Sequence, residues 1–262
     1  MSRRLMLAAA AVMALTAHGA WAQHDGHAGH AMPAQSPGDA ISAAVADAAR
    51  PAEDKARDAD RKPAEMLAFA EVKPGQVVGD FLPGGGYFTR IFAKAVGGDG
   101  KVFAIISEGQ AKAEKPPAVN AIAADPAYGN IEVVAADFQT LVLPQKADMI
   151  WTSQNYHDLH QSRLNLDVAA VNKAIFEALK PGGLYLVLDH AAPAGTPVTS
   201  ADSLHRIDPA IVRRELEAAG FVFVGESDAL RNPKDDYAKI IFDPAVRGHT
   251  DQFVYKFRKP QL

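Results

Sequence analysis

The residue types able to do chemistry fall in one glycine run and a few polar clusters. Gly84, Gly85 and Gly86 follow the segment Asp80-Phe81-Leu82-Pro83. Three bare backbone positions in a row let a ligand come close to the main chain and leave amide N–H groups free to face it. The spacing is neither G-x-G-x-x-G nor a phosphate loop, and no G-x-S-x-G nucleophile elbow occurs. A polar cluster reads Gln154-Asn155-Tyr156-His157-Asp158-Leu159-His160. There Asn155 offers an amide, and Tyr156 a ring face for a cation, worth about 0.5–2 kcal/mol. His157, oriented by Asp158 or another acid, is a candidate general base near neutral pH. The same residues also read as a plain helix start, with Asp158 capping and His157 and His160 at the surface. Two further pieces, Asp189-His190 and Ser203-Leu204-His205-Arg206, add His190 and His205 as bases or substrate contacts. No cysteine is present, which excludes disulfides, thiolate metal sites and cysteine nucleophiles. No metal is expected in this region, because His157, His190 and His205 lack paired-ligand spacing.

These clusters must be held by regular elements, and the pattern supplies them. Apolar runs at 77–81, 101–106, 131–135, 148–153, 184–189, 221–226 and 252–257 read as seven strands. Between them lie helical faces: Phe88, Ile91, Phe92 and Ala95; then Leu164, Val168, Val171, Ile175 and Leu179. Asp208-Pro209 is a cap followed by proline at the first helical position. A helical stretch from about residue 40 is interrupted by Pro51 and Pro63. Near-continuous apolar strands alternating with helices predict an α/β domain over 40–262, a mostly parallel seven-stranded sheet covered on both faces. In such a sheet ligands bind beyond the carboxyl ends of the strands, where the glycine run and the histidines fall. Residues 191–204 are expected to form a long loop over this edge, a lid or a substrate-selecting segment.

The balance of 27 basic against 31 acidic residues gives a net charge of −4 and excludes a generally basic nucleic-acid binder. Arg3 and Arg4, an apolar run from Leu5 to Ala17 and Ala20-Trp21-Ala22 read as a signal peptide over 1–22, with cleavage before Gln23. Export to the periplasm or beyond is therefore expected, with no membrane anchor once the signal is removed. Residues 23–39 read as a disordered linker, in which His24, His27 and His30 form either a solvated tether or a loose metal ligand set.

The segment Val77-Val78-Gly79-Asp80-Phe81-Leu82-Pro83-Gly84-Gly85-Gly86-Tyr87-Phe88-Thr89 resembles the first motif of class I S-adenosylmethionine-dependent methyltransferases. Ala136-Asp137-Phe138, Asn155-Tyr156-His157-Asp158 and Leu179-Lys180-Pro181-Gly182-Gly183 extend the likeness over about residues 55–259. More narrowly, it is similar to a bacterial group of predicted exported methyltransferases. The resemblance implies a Rossmann-like fold with an antiparallel last strand, S-adenosylmethionine as cofactor and a small-molecule acceptor. It implies that Gly84, Gly85 and Gly86 border the methionine and ribose, that Asp80 holds the amino-acid end, and that Asp137 and Phe138 meet the adenine. Asn155 and Tyr156 would face the cofactor's nitrogen and sulfonium. The family's first glycine is Leu82 here, and the acid ending the second strand falls on Ile106, leaving Glu108 either to grip the ribose or to start a helix. A non-catalytic exported binding module of the same fold, for a nucleoside-like ligand or metal, is the alternative.

Overall fold

The computed structural model describes residues 36–261. The expected signal segment and residues 23–35 of the expected linker lie outside them. A helix α1 (Pro37–Ala46) begins inside the segment expected to be linker, because the Ser36 side chain accepts the Asp39 N–H and Pro37 presets the first turn. Short helices α2 (Ala52–Lys55), α3 (Asp58–Arg61) and α4 (Pro63–Phe69) follow, separated where Pro51 and Pro63 were expected to interrupt.

Seven strands then form one sheet: β1 (Val77–Phe81), β2 (Lys101–Ser107), β3 (Ile131–Ala136), β4 (Ala147–Ser153), β5 (Leu179–His190), β6 (Val222–Ser227) and β7 (Gln252–Arg258). Their order is β3-β2-β1-β4-β5-β7-β6, with β7 antiparallel to both neighbours and the other strands pointing the same way. The switch in winding falls between β1 and β4, so their carboxyl ends open a crevice. The strand at 184–189 starts earlier than its apolar run suggests. Leu179 already pairs with Ala147, and Gly182 and Gly183 exchange bonds with Lys259, so Pro181-Gly182-Gly183 is a bulge within β5.

Alternation along the strands divides the core in two. Val78, Met149, Trp151, Leu184 and Leu186 face α1, α4 and α5 (Tyr87–Val96). Phe81, Ile150, Tyr185 and Val187 face α8 (Val168–Ala178) and α10 (Pro209–Ala218). The remaining helices are α6 (Glu108–Ala111), α7 (Ala118–Ala124) and α9 (Ser200–Ser203). Leu164 stays 39% exposed in a separate turn, outside the helical face it was expected to join. Among the described residues no helix is long and apolar enough to cross a membrane.

Candidate active site

At the carboxyl end of β1 the chain must turn sharply into α5, and the backbone shows the cost. Leu82 takes φ 58°, a left-handed conformation that suits glycine far better. Its N–H donates to the Ile105 carbonyl, and its side chain packs on the core face under Phe81, which holds it there. Leu82 thus takes, at the position of the missing family glycine, a backbone conformation that glycine adopts freely. Gly84 and Gly86 also have positive φ, 56° and 78°. A Cβ at Gly84 or Gly85 would meet nothing within 4 Å, whereas one at Gly86 would lie 2.2 Å from Ile122 Cδ1. The first two glycines are therefore open ledge, and the third is a packing contact against α7.

The ledge floors a chamber of about 240 Å3 lined by Asp80, Leu82, Pro83, Gly84, Gly85 and Asn155, with Arg57 and Arg61 opposite. Leu82 and Pro83 form its wall and leave it open. Asn155 donates to the Leu82 and Ser153 carbonyls at 2.8 and 2.7 Å, clamping the turn to the end of β4. Asp80 is buried and accepts the Thr89 hydroxyl at 2.6 Å. Burial pushes its carboxyl up to about 7, against the Thr89 hydrogen bond and the Arg61 charge. Arg61 is pulled down to about 10 by burial and the neighbouring Arg57, and stays protonated at neutral pH. Its guanidinium lies 4.7 Å from the Tyr87 ring centroid. The helices that carry these arginines are pinned to α5: Arg90 pairs with Asp54 at 2.8 Å, and Tyr87 donates to Asp58 at 2.6 Å.

A second cavity of about 470 Å3 adjoins the first, sharing Arg57, Arg61 and Gln154. Arg61 donates to Gln154 Oε1 at 2.8 Å, and Gln154 Nε2 donates to Gln252 at 3.0 Å, so this bridge forms the partition. Gln154 holds φ 63°, a further strained residue at the same edge. His190, Ile241, Phe242, Arg247 and Gln252 line the rest. The cover is the β6–β7 connection, not the 191–204 segment expected to be a lid. It is fixed by a buried Arg206–Asp235 pair at 2.8 Å and by Arg231 on Asp251 at 2.9 Å. A separate hollow of about 500 Å3 near Lys94, Gly97 and Asn130 lies at the opposite, amino end of the strands and contains no such cluster of polar groups.

His157 does not reach either cavity lining. It is buried, its Nδ1 lies 2.8 Å from Asp189 Oδ1, and its backbone N–H donates to Asp189 Oδ2 at 2.7 Å. Burial alone would lower the His157 imidazole, but the Asp189 charge and hydrogen bond outweigh it and raise it above the ordinary value. Burial likewise raises Asp189, and the His157 charge more than reverses that. The second ring nitrogen of His157 faces His205 Nδ1 at 3.3 Å. His190 does line the larger cavity; its Nδ1 meets Thr250 Oγ1 at 2.6 Å, and burial pulls it down to about 4. It is therefore a neutral imidazole at physiological pH.

The other expected site residues are placed differently. Tyr156 is fully buried on the α8–α10 face, donating to Glu215 at 2.8 Å and accepting from Asn172 at 2.7 Å. Its ring is a core element and not a wall for a sulfonium, because the short helical turn after β4 points it at Asn172 and Glu215. Glu108 starts α6 beside the capping Ser107 and pairs with Lys112 at 3.1 Å on the surface, lining neither cavity. Asp137 is exposed at the end of β3 and caps the next turn by accepting the Gln139 N–H. Phe138 packs against Phe81 with centroids 4.6 Å apart. Neither lines the two chambers.

No family model matches the chain. It is 28% identical over 189 residues to the ubiquinone/menaquinone biosynthesis C-methyltransferase of Salmonella arizonae, covering 70% of each chain. Its match to the Salmonella newport protein of the same name, at 32% identity, covers 50% of this chain and only 49% of that one. In fold it is similar to the Burkholderia thailandensis 1,6-didemethyltoxoflavin-N1-methyltransferase solved with S-adenosylhomocysteine, at TM-score 0.53, 18% identity and 78% and 80% coverage. By fold the chain is similar to S-adenosylmethionine-dependent methyltransferases, and by sequence it is related to a C-methyltransferase. The cyclase SpnF shares the fold at TM-score 0.57 and 18% identity, over 78% of this chain and 82% of its own. The fold thus accommodates more than one reaction, and residues at the strand ends decide which.

The ledge fits the cofactor of this class: Gly84 and Gly85 leave space that any Cβ would fill, and Asp80 with Arg61 offers one anion and one cation. At about 240 Å3 the chamber suits the amino-acid half, and a nucleoside must extend past the exposed glycines.

Proposed function

We propose that the chain transfers a methyl group to a small molecule seated in the larger cavity beside the glycine ledge. The supporting observation is the pair of adjoining chambers at one crevice, the smaller built on bare glycine backbone and the larger lined by a neutral histidine. When bound, S-adenosylmethionine supplies the electrophilic methyl group. Asp80, once ionised, would hold the α-ammonium of the methionine portion, and Arg61 its carboxylate. Gly84 and Gly85 would border the sugar, with Asp137 and Phe138 beyond them toward the adenine. The Arg61–Gln154 bridge separates the two ligands, and its rearrangement would open the passage between them.

The acceptor cavity joins three cations, Arg57, Arg61 and Arg247, to the apolar Ile241 and Phe242, with Asp60 its only acid. That lining suits a flat acceptor carrying an acidic or anionic oxygen. His190, neutral at physiological pH, is placed to accept a hydrogen bond or a proton from it. His157 and Asp189 position the strand-end loop from behind. Calorimetric titration with S-adenosylmethionine, S-adenosylhomocysteine and NADH tests the reading. Saturable binding of the first two and none of the third is expected. Absence of the first two removes the assignment, and binding without turnover on a panel of phenols and enols favours a binding module.

Export through residues 1–22 belongs to the same proposal. Amino-terminal sequencing of the chain recovered from the periplasm should begin at Gln23; an intact leader on cytoplasmic protein refutes it.

A further inference from the structure

Beside the acceptor cavity, three side chains turn their lone-pair atoms toward one point. His157 Nε2 lies 3.3 Å from His205 Nδ1 and 3.4 Å from Asp158 Oδ1, and the latter two are 3.6 Å apart. Tetrahedral ligands on bonds of about 2.1 Å sit about 3.4 Å from one another. The triangle therefore has the edge length of three corners of a zinc tetrahedron. We propose that His157, Asp158 and His205 bind one first-row divalent transition ion of tetrahedral preference, Zn2+ by geometry.

Three further features favour a cation over chance proximity. Asp189 accepts the Nδ1 proton of His157, so that in the neutral ring the Nε2 lone pair is aimed at the cluster. A buried carboxylate behind a ligating imidazole is the usual outer partner of a metal-bound histidine. Asp189 also takes the His157 and His190 backbone N–H groups, so the ring is fixed before any ion arrives. Gln161, only 3% exposed, lies with its amide nitrogen 2.5 Å from Asp158 Oδ1 and 3.0 Å from His205 Nδ1, while its Oε1 has no partner. The amide can turn end for end in the same space. Rotated, Oε1 joins the two ring nitrogens and the carboxylate oxygen as a fourth acceptor atom, an arrangement that a cation stabilises.

His205 and Asp158 are partly exposed, so a water or substrate atom can reach the ion. The His205 ring lies 4.9 Å from Phe242, which lines the acceptor cavity. The site thus borders the larger chamber, and none of its three residues lines the chamber on the glycine ledge. His190, the third histidine of the region, is engaged by Thr250 and takes no part. The proposal stands apart from methyl transfer and holds whether or not a cofactor binds.

The test uses the full chain with His24, His27 and His30 changed to Ala in every arm, since those residues would bind zinc on their own. After chelator dialysis, zinc binding is measured by calorimetry and cobalt binding by visible absorption. One equivalent of zinc and an intense tetrahedral cobalt band are expected. Asp158→Asn and His205→Ala should each weaken zinc by more than about 100-fold, the upper range for loss of an outer partner. Their circular dichroism should match the parent. Gln161→Glu, which supplies a fixed anionic oxygen, should tighten zinc by about tenfold through added ligand charge. This keeps the test decisive if a loss-of-ligand variant misfolds. A parent chain that binds no zinc, or equal affinity in all variants, overturns the proposal.

Discussion

The glycine ledge and the histidine edge lie at the same end of one sheet, yet they are built by opposite means. The ledge is main chain: consecutive residues 80–86, one strained leucine, and glycines whose missing side chains make the space. The histidine edge is side chain: His157, the Asp189-His190 end of β5, His205 and Gln252 arrive from four separate segments and are fixed by hydrogen bonds. The first can be filled by one methyl branch. The second can lose a group and keep its shape, because several partners share its support. That difference suits a cofactor site common to many enzymes beside an acceptor site particular to one.

The largest expected effect comes from filling the ledge. Gly85→Val should weaken S-adenosylmethionine by at least about 100-fold, about 2.7 kcal/mol, in calorimetry. Its melting temperature should stay near that of the parent, since nothing lies within 4 Å of the added Cβ. A normal affinity would remove the ledge as the cofactor site. On the histidine edge, His190→Gln should lower kcat by about 100-fold, the lower range for loss of a positioned base, and leave cofactor affinity intact. Parallel loss of both would show that the two regions are not separable.

A smaller effect distinguishes the glycines from each other. Gly86→Ala must adopt positive φ and meets Ile122, so it should destabilise the fold by about 1–3 kcal/mol in denaturant unfolding. An unchanged midpoint would place it on the open ledge with its neighbours.

The smallest effect is a pH dependence. Asp80 ionises near 7 in the folded chain, above its unfolded value of about 3.9. Its contribution to stability is therefore present at low pH and is lost as pH rises through about 7. Cofactor affinity should run the other way, rising a few-fold from pH 6 to 8 as the carboxylate forms beneath the α-ammonium. Asp80→Asn should flatten both slopes, and a wild-type slope in that variant would show another group at work.

Much of the fold was legible because strand and helix periods are local. All seven apolar runs become strands, and Asp208-Pro209 starts a helix as its cap chemistry requires. The extension of β5 back to Leu179 was not, because the bulge depends on Lys259, far along the chain. Of the expected site, Asp80, Gly84, Gly85 and Asn155 share the small chamber and His190 lines the larger one. Tyr156 turns inward, since the chain leaves β4 at Ser153 and enters a short helical turn whose facing is set by packing on Asn172 and Glu215, far along the chain. Arg57 and Arg61 were missed: in sequence they are two charged residues of a helical stretch, with nothing to separate them from solvated arginines. Phe242 and Arg247 were missed because a polar connection between two strands carries no sign of which edge it covers.

The linear order of residues alone determined the alternating elements, the glycine turn and the kind of ligand that bare backbone admits, since each depends on neighbours within a few positions. Tertiary packing decided which histidine meets the cavity and which meets a carboxylate. It also decided that Asp158 and His205, 47 positions apart in number, hold lone pairs at a common point. Pairings of that kind depend on where distant strand ends and their loops converge, and no local period encodes that.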